Sequence, residues 1–336
     1  VQIYPHKHGE EMKQDNSPYG VSFKRFSTDY GKFCSEFGMH ALPVRETLEG
    51  CIPEDMLYYE SFEMRYRNKD KRPDRGRLLM EEYTGLPKNL DEFIDFSMMA
   101  QAQGLKYGIE HYRRRFPQCA GALIWQLNDC WPTMSWSIVD YHLRPKAGYY
   151  YTKRVCKNIL LSFQEEGPDK FSLWVCNNDS AAYQDTLHVG LKDFFGNDEY
   201  ADTITVDVPA HSCRRVAEFS QNRVNVCYSN FEFFYALPAD ARVDNALHYF
   251  RDYKDLNLAP CSLHVQTDPS SDEIRITVRT DVLAKFVKIT GELDGIYVDD
   301  NYFDLMPGEE KTVLLRSRTG EAIDGRHIAV TAINQK

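Results

Sequence analysis

No apolar run in this 336-residue chain approaches the roughly 20 residues that a membrane-spanning helix requires. Basic charge is not in excess either. Forty Lys and Arg stand against 50 Asp and Glu, for a net charge of −10, whereas nucleic-acid binding favours a basic face. Cys-x-x-Cys pairs are missing, and no Cys/His cluster has the spacing of zinc ligands. The cysteines number nine and lie mostly in apolar, strand-like stretches. That odd number points to buried free thiols in a reducing compartment rather than to disulfides. There is no phosphate-binding glycine loop and no Ser/His/Asp nucleophile motif. No metal or cofactor is therefore expected. Residues 1–16 are polar and lack a signal-peptide pattern, from which a cytoplasmic location is expected. The first residue is Val1 rather than methionine, so the chain is expected to be a piece of something longer.

Aromatic residues, in contrast, are abundant: 21 Tyr, 19 Phe and 4 Trp. Their faces fill cores, and they also stack on sugar rings. Three regions separate by pattern. Up to about residue 158, helical and buried-strand signals mix. Phe33, Cys34 and Phe37 read as a buried strand of parallel type. A polar stretch over residues 46–88 reads as an excursion of short helices and loops. Phe93, Phe96, Met99, Ala102, Leu105, Ile109 and Tyr112 then predict a helix over 90–116. Arg113, Arg114 and Arg115 close it, as the helix dipole favours. A second apolar strand, Ala120 to Trp125, follows. Strand, excursion, helix, strand is the order of an α/β parallel sheet. From 159 the period becomes two, as in Phe171-Leu173-Val175 and Phe231-Phe233-Tyr235, and predicts an antiparallel sandwich over 159–240. Residues 239–260 read as a linker. The alternation of Ile274-Ile276-Val278 predicts a second sandwich within 241–336.

Two motifs carry chemistry. The first is Ser35-Glu36-Phe37-Gly38-Met39-His40. A glutamate at the end of a buried strand is costly without a purpose. It can act as a nucleophile toward a glycosidic carbon, or it can sit in a structural ion pair. His40, four residues on, can meet substrate or bond the backbone. The second motif is Trp125-Gln126-Leu127-Asn128-Asp129-Cys130-Trp131-Pro132. Aromatic platforms with amides and a carboxylate between them are what a carbohydrate subsite needs. The alternative is a tryptophan-rich core corner closed by an Asx turn. His6 and His8 read as solvated, and the basic run Arg65 to Arg77 as a solvated helix-loop face, with a pocket rim as the alternative for Arg72 and Arg75.

At these motifs the chain resembles the C-terminal part of a β-mannosidase of glycoside hydrolase family 2. Phe33 to Gly38, Met99-Ala100-Gln101-Ala102-Gln103, Glu110 to Arg114, Gly121 to Pro132, Ser135-Trp136-Ser137 and Lys146 to Tyr150 carry the resemblance, with Val298 to Glu309 near the end. The resemblance implies the C-terminal portion of a (β/α)8 barrel in 1–158, holding its strands seven and eight, followed by two immunoglobulin-like β-sandwich domains in 159–240 and 241–336. It implies a retaining exo-hydrolase of terminal β-linked mannose, with β-mannosides or mannose-containing oligosaccharides as substrates. Glu36 takes the place of the nucleophile and Trp125 that of a wall of the −1 subsite. Asn128 and Asp129 are the next candidates for the pocket, as substrate ligands or as supports behind them; Trp131 is a further wall or packing, and His40 is a candidate for substrate contact. The family's acid/base glutamate follows an asparagine, and this chain has no Asn-Glu dipeptide. The isolated chain is thus expected to be inactive, with the missing N-terminal part of the enzyme as its completing partner. A non-catalytic carbohydrate-binding module and β-glucuronidase or β-galactosidase specificity remain as alternatives.

Overall fold

The computed structural model describes residues 22–69 and 74–336. His6, His8, Arg72 and the side chain of Arg75 lie outside what is described. Strand β1 (Cys34–Phe37) pairs in parallel with β2 (Ala122–Ile124), with Cys34 opposite Ala122 and Phe37 opposite Ile124. Between them run the short helices α1 (Arg45–Glu49), α2 (Phe62–Tyr66) and α3 (Asp74–Tyr83), then the long α4 (Leu90–Arg114). Phe33, expected inside, precedes β1 and is 52% exposed. Cys34 and Phe37 are the buried residues of β1, and Phe37 packs on Phe26 and on Tyr112 of the long helix.

Helix α4 starts where local chemistry dictates. Asn89 Oδ1 accepts the Glu92 N–H at 2.9 Å, and the Glu92 carboxylate accepts the Lys88 N–H at 2.8 Å. The first bond satisfies an amide that the first turn would leave bare, and the second ties the residue before the cap to the helix. Phe93, Met99, Ala102, Leu105 and Ile109 are buried along one stripe. Gly104 and Gly108 are poor helix formers, but they are sockets. A Cβ at 104 would stand 2.7 Å from Met39 Sδ, and one at 108 would stand 2.8 Å from the Phe37 ring.

The arginines at the end of α4 do more than complement a dipole. Arg115 donates to the carbonyls of Asp29, Tyr30 and Gly31, just before β1. Arg113 donates to the carbonyls of Val155, Lys157 and Asn158, where α5 (Ala147–Val155) ends. Arg114 reaches Ser162 Oγ and the Phe163 carbonyl in β3 (Ile159–Glu165). One helix end thereby fixes the entry to β1 and the entry to the first sandwich.

That sandwich packs a three-stranded sheet, order β3-β4-β7, on a four-stranded sheet, order β6-β5-β8-β9. Its further strands are β4 (Lys170–Asn177), β5 (Tyr183–Asp193), β6 (Asp198–Val208), β7 (Ser212–Ser220), β8 (Glu232–Pro238) and β9 (Ala246–Tyr249). β9 lies past residue 240, inside the stretch read as linker, yet it pairs with β8 throughout its length. Cys176 and Cys213 face each other across β4 and β7 and form a disulfide, while the other seven cysteines are free. The expectation of free thiols throughout is corrected there, because a cross-strand register is invisible in residue spacing.

The last sandwich joins sheet β10-β11-β15-β13 to sheet β14-β12-β16. Its strands are β10 (Leu263–Pro269), β11 (Glu273–Thr280), β12 (Ala284–Gly291), β13 (Ile296–Val298), β14 (Phe303–Leu305), β15 (Glu310–Ser317) and β16 (Ile328–Thr331). β8 is buried on both faces rather than on one. Phe234 and Ala236 belong to the core of its own sandwich, while Phe233 and Tyr235 cluster with Leu283 and Met306 of the last one. Among the described residues, no helix is long and apolar enough to cross a membrane.

Candidate active site

The two sequence motifs leave neighbouring parallel strands at the same end. Glu36 is half-buried in β1, between exposed Ser35 and buried Phe37. One residue past β2, the Trp125 N–H donates to the Phe37 carbonyl at 2.8 Å. The indole of Trp125 is 42% exposed. The Trp125–Gln126 peptide bond is cis. Gly38 is required by this approach, since a Cβ there would lie 2.0 Å from the Trp125 carbonyl oxygen.

Past the strands the two segments are sewn together. Ala41 and Ser135 exchange backbone hydrogen bonds of 2.8 and 3.1 Å, and the Gln126 N–H donates to the Trp136 carbonyl at 3.2 Å. Gln101, fully buried in α4, donates its amide Nε2 both to the Met39 carbonyl at 2.9 Å and to the Ser137 carbonyl at 3.0 Å. Lys146, also fully buried, donates to the Ala41 carbonyl at 3.1 Å. Burial pushes its ammonium down to a pKa of about 8, against the opposing pull of Asp129 and Asp140.

Asp129 is the hub beneath this surface. It is 4% exposed and accepts from Lys69 Nζ at 2.9 Å, from Ser135 Oγ at 2.7 Å and from Ser137 Oγ. Its carboxylate is thus engaged by protein donors. His40 is likewise buried, with its ring 5.0 Å from that of Trp136. Asn128 is exposed, and its Nδ2 donates to the Asp129 carbonyl at 3.2 Å. Trp131 is half-buried against Tyr66 and the Arg67 guanidinium. Of the six candidates, Glu36, Trp125 and Asn128 present side chains to solvent at this end of the strands, Trp131 does so in part, and Asp129 and His40 lie below. No group of three His, Cys, Asp or Glu among the described residues is placed to hold a metal ion.

Gln101, Lys146, Ser135 and Ser137 were not singled out as functional from the sequence. The signal for Gln101 was an amide flanked by Ala100 and Ala102 on the apolar stripe of α4. Lys146 is marked only as the first residue of the Lys146-to-Tyr150 segment of the resemblance, because a lysine ahead of a helix is ordinarily solvated.

The Ig-fold domain model of mannosidases matches residues 258–335. β-Mannosidase B of Aspergillus terreus is 28% identical over 93% of this chain and 40% of its own length. The β-D-mannosidase of Dictyoglomus thermophilum, a solved structure, superposes with a TM-score of 0.84 at 26% identity, over 94% of this chain and 39% of that one. This chain is similar to the C-terminal part of a family 2 β-mannosidase. β-Mannosidase B of Emericella nidulans is 34% identical over 50% of the chain and 22% of its own length. An exo-chitosanase of Amycolatopsis orientalis shares the fold at a TM-score of 0.69 and 17% identity, over 100% of this chain and 44% of its own. The chain spans about 40% of the length of the first of these curated relatives.

Proposed function

We propose that this chain supplies the nucleophile half of a retaining exo-β-mannosidase site, with Glu36 as nucleophile and Trp125 as a wall of the −1 subsite. The observation that carries the reading is the joining of Glu36's strand to the tryptophan motif through the 2.8 Å bond between Trp125 and Phe37. In a retaining mechanism the Glu36 carboxylate attacks the anomeric carbon, the aglycone oxygen leaves with a proton from a second carboxyl group, and water later releases the sugar. Asn128 is positioned to bond a sugar hydroxyl, and Trp131 to extend the aromatic wall. Asp129 and His40 act through the loop they support.

The second carboxyl group comes, on this reading, from the N-terminal part of the complete enzyme. β1 and β2 are then the last two strands of a (β/α)8 barrel whose active end is the C-terminal end of its strands. Among the described residues each of these strands pairs only with the other, and Leu123, Trp125 and Leu127 are exposed beside them. Such open edges and apolar side chains call for a covering partner.

The test uses an aryl β-mannoside with two proteins: this chain alone, and the chain extended to the length of its relatives. The extended enzyme should turn over substrate, and Glu36→Gln should lower kcat by about three orders of magnitude or more with the fold intact. A slow 2-fluoro-mannoside should leave its sugar on the peptide that contains Glu36. Full activity in Glu36→Gln, or a label elsewhere, would remove Glu36 as nucleophile. Robust turnover by the isolated chain would remove the need for a second part. A panel of aryl glycosides separates mannoside from glucuronide and galactoside specificity.

A further inference from the structure

Away from this site, a cavity of about 190 Å³ opens where α3, α5, β9 and β14 converge. At about 30 Å³ per water molecule this is room for roughly six waters, comparable to one monosaccharide unit. Four side chains from four separate segments line it: Tyr83 from α3, Tyr151 from α5, Tyr249 from β9 and Asp304 from β14. Asp304 accepts from the Tyr249 hydroxyl at 2.9 Å, from the buried Lys285 Nζ at 2.5 Å and from the Phe286 N–H at 3.0 Å. Tyr83 and Tyr151 are 7% and 8% exposed. Neither of their hydroxyls bonds another group among the described residues. Burial raises the pKa of all three phenols, so each stays a neutral donor and acceptor.

Several charges on the wall already have a partner. Asp304 has Lys285, Lys24 has Asp252 at 2.9 Å, Lys106 has Glu110 at 2.6 Å, and Lys311 has Asp300 at 2.6 Å. An anionic guest beside Asp304 would be desolvated against a like charge whose lysine is already engaged. A guest bearing several hydroxyls would instead satisfy the phenols of Tyr83 and Tyr151 and meet the aromatic rings of the wall, including that of Phe303.

We propose that this cavity binds one neutral, polyhydroxylated molecule of monosaccharide size. The site is separate from the Glu36 surface, and the proposal does not depend on Glu36 being a nucleophile. The probe is D-mannose, titrated against the 336-residue chain carrying Trp125→Ala, so that binding at the other surface does not contribute. Saturable one-to-one binding is expected by calorimetry and by saturation-transfer NMR. Adding Tyr83→Phe and Tyr151→Phe together should weaken it by about tenfold or more, since each removes a hydrogen-bonding hydroxyl and little volume. The melting temperature should hold, because neither hydroxyl bonds another group among the described residues. D-Glucuronate should bind at least about tenfold more weakly than D-mannose. The proposal is overturned if no saturable binding occurs up to about 100 mM sugar, well beyond a millimolar Kd. It is overturned equally if the double Phe variant binds as well, if glucuronate binds equally, or if crystals soaked in D-mannose hold only ordered water in the cavity.

Discussion

Asp129 shows how a carboxylate in a promising motif acquires a supporting role. Its oxygens are taken by one ammonium and two hydroxyls in a buried setting. Replacing it with Ala leaves Lys69, Ser135 and Ser137 without their acceptor, which should cost about 3 kcal/mol or more, read by denaturant unfolding. Asp129→Asn keeps the shape and an acceptor oxygen and should cost less. Lys146 makes a prediction of opposite kind. Its folded pKa of about 8 lies below the ordinary 10.5. Between those values the unfolded chain binds more protons, so the Lys146 contribution to stability rises with pH over that window and is flat below it. The rise amounts to about 3 kcal/mol at 1.36 kcal/mol per unit of pKa. Lys146→Met should abolish it, leaving a melting profile that lacks the rise between pH 8 and 10.5. A variant whose profile matches the parent would show that Lys146 is hydrated in solution. Neither residue's position could be read from the chain, because burial of a charge depends on groups far away in sequence.

At the scale of elements, α4 is the organiser. Its length, cap and apolar stripe were legible, since each follows from spacing and from the Asn89–Glu92 pairing. Its polar contacts were not. Gln101 bonds two carbonyls, one past β1 and one past β2, 62 and 36 residues away. Gln101→Leu keeps the volume but strands both carbonyls in the interior. We expect a loss of about 2 kcal/mol in stability. In the extended enzyme, kcat should fall more than KM rises, because Gln101 sets the spacing between the segments that carry Glu36 and Trp125. Equal stability and unchanged kcat in the variant would show that the Ala41–Ser135 pairing alone holds that spacing. The arginine run at the end of α4 teaches the same lesson. A basic C-terminus is written in the sequence, but three grips on three segments are a property of where those carbonyls lie.

At the scale of the whole molecule, three units share cores instead of hanging on linkers. The core of the helical region is continuous with that of the last sandwich. Arg144 bonds Asp294 through two parallel contacts of 2.7 and 2.6 Å, and Lys288 pairs with Asp95 at 2.6 Å, both across that junction. The two sandwiches meet through β8, whose second face packs Phe233 and Tyr235 on Leu283 and Met306. Leu283→Ala should therefore destabilise by about 2–5 kcal/mol. It should also split one unfolding transition into two when tryptophan fluorescence and far-UV circular dichroism are compared. A single coincident transition at full stability would show that the sandwiches fold independently of this contact.

The sequence by itself determined the order of the elements, the change of period at residue 159, the two chemical motifs and the family they resemble. These are local properties, set by spacing, capping and side-chain type. It also placed Glu36 and Trp125 at strand ends, because apolar runs mark where strands stop. Tertiary structure alone decided that β9 belongs to the first sandwich, that Cys176 meets Cys213, and that Phe33 faces solvent. It also decided between the alternatives left open for their placement, by burying Asp129 and His40. Each of these depends on register or burial between residues distant in the chain, which pairing and packing fix and composition does not.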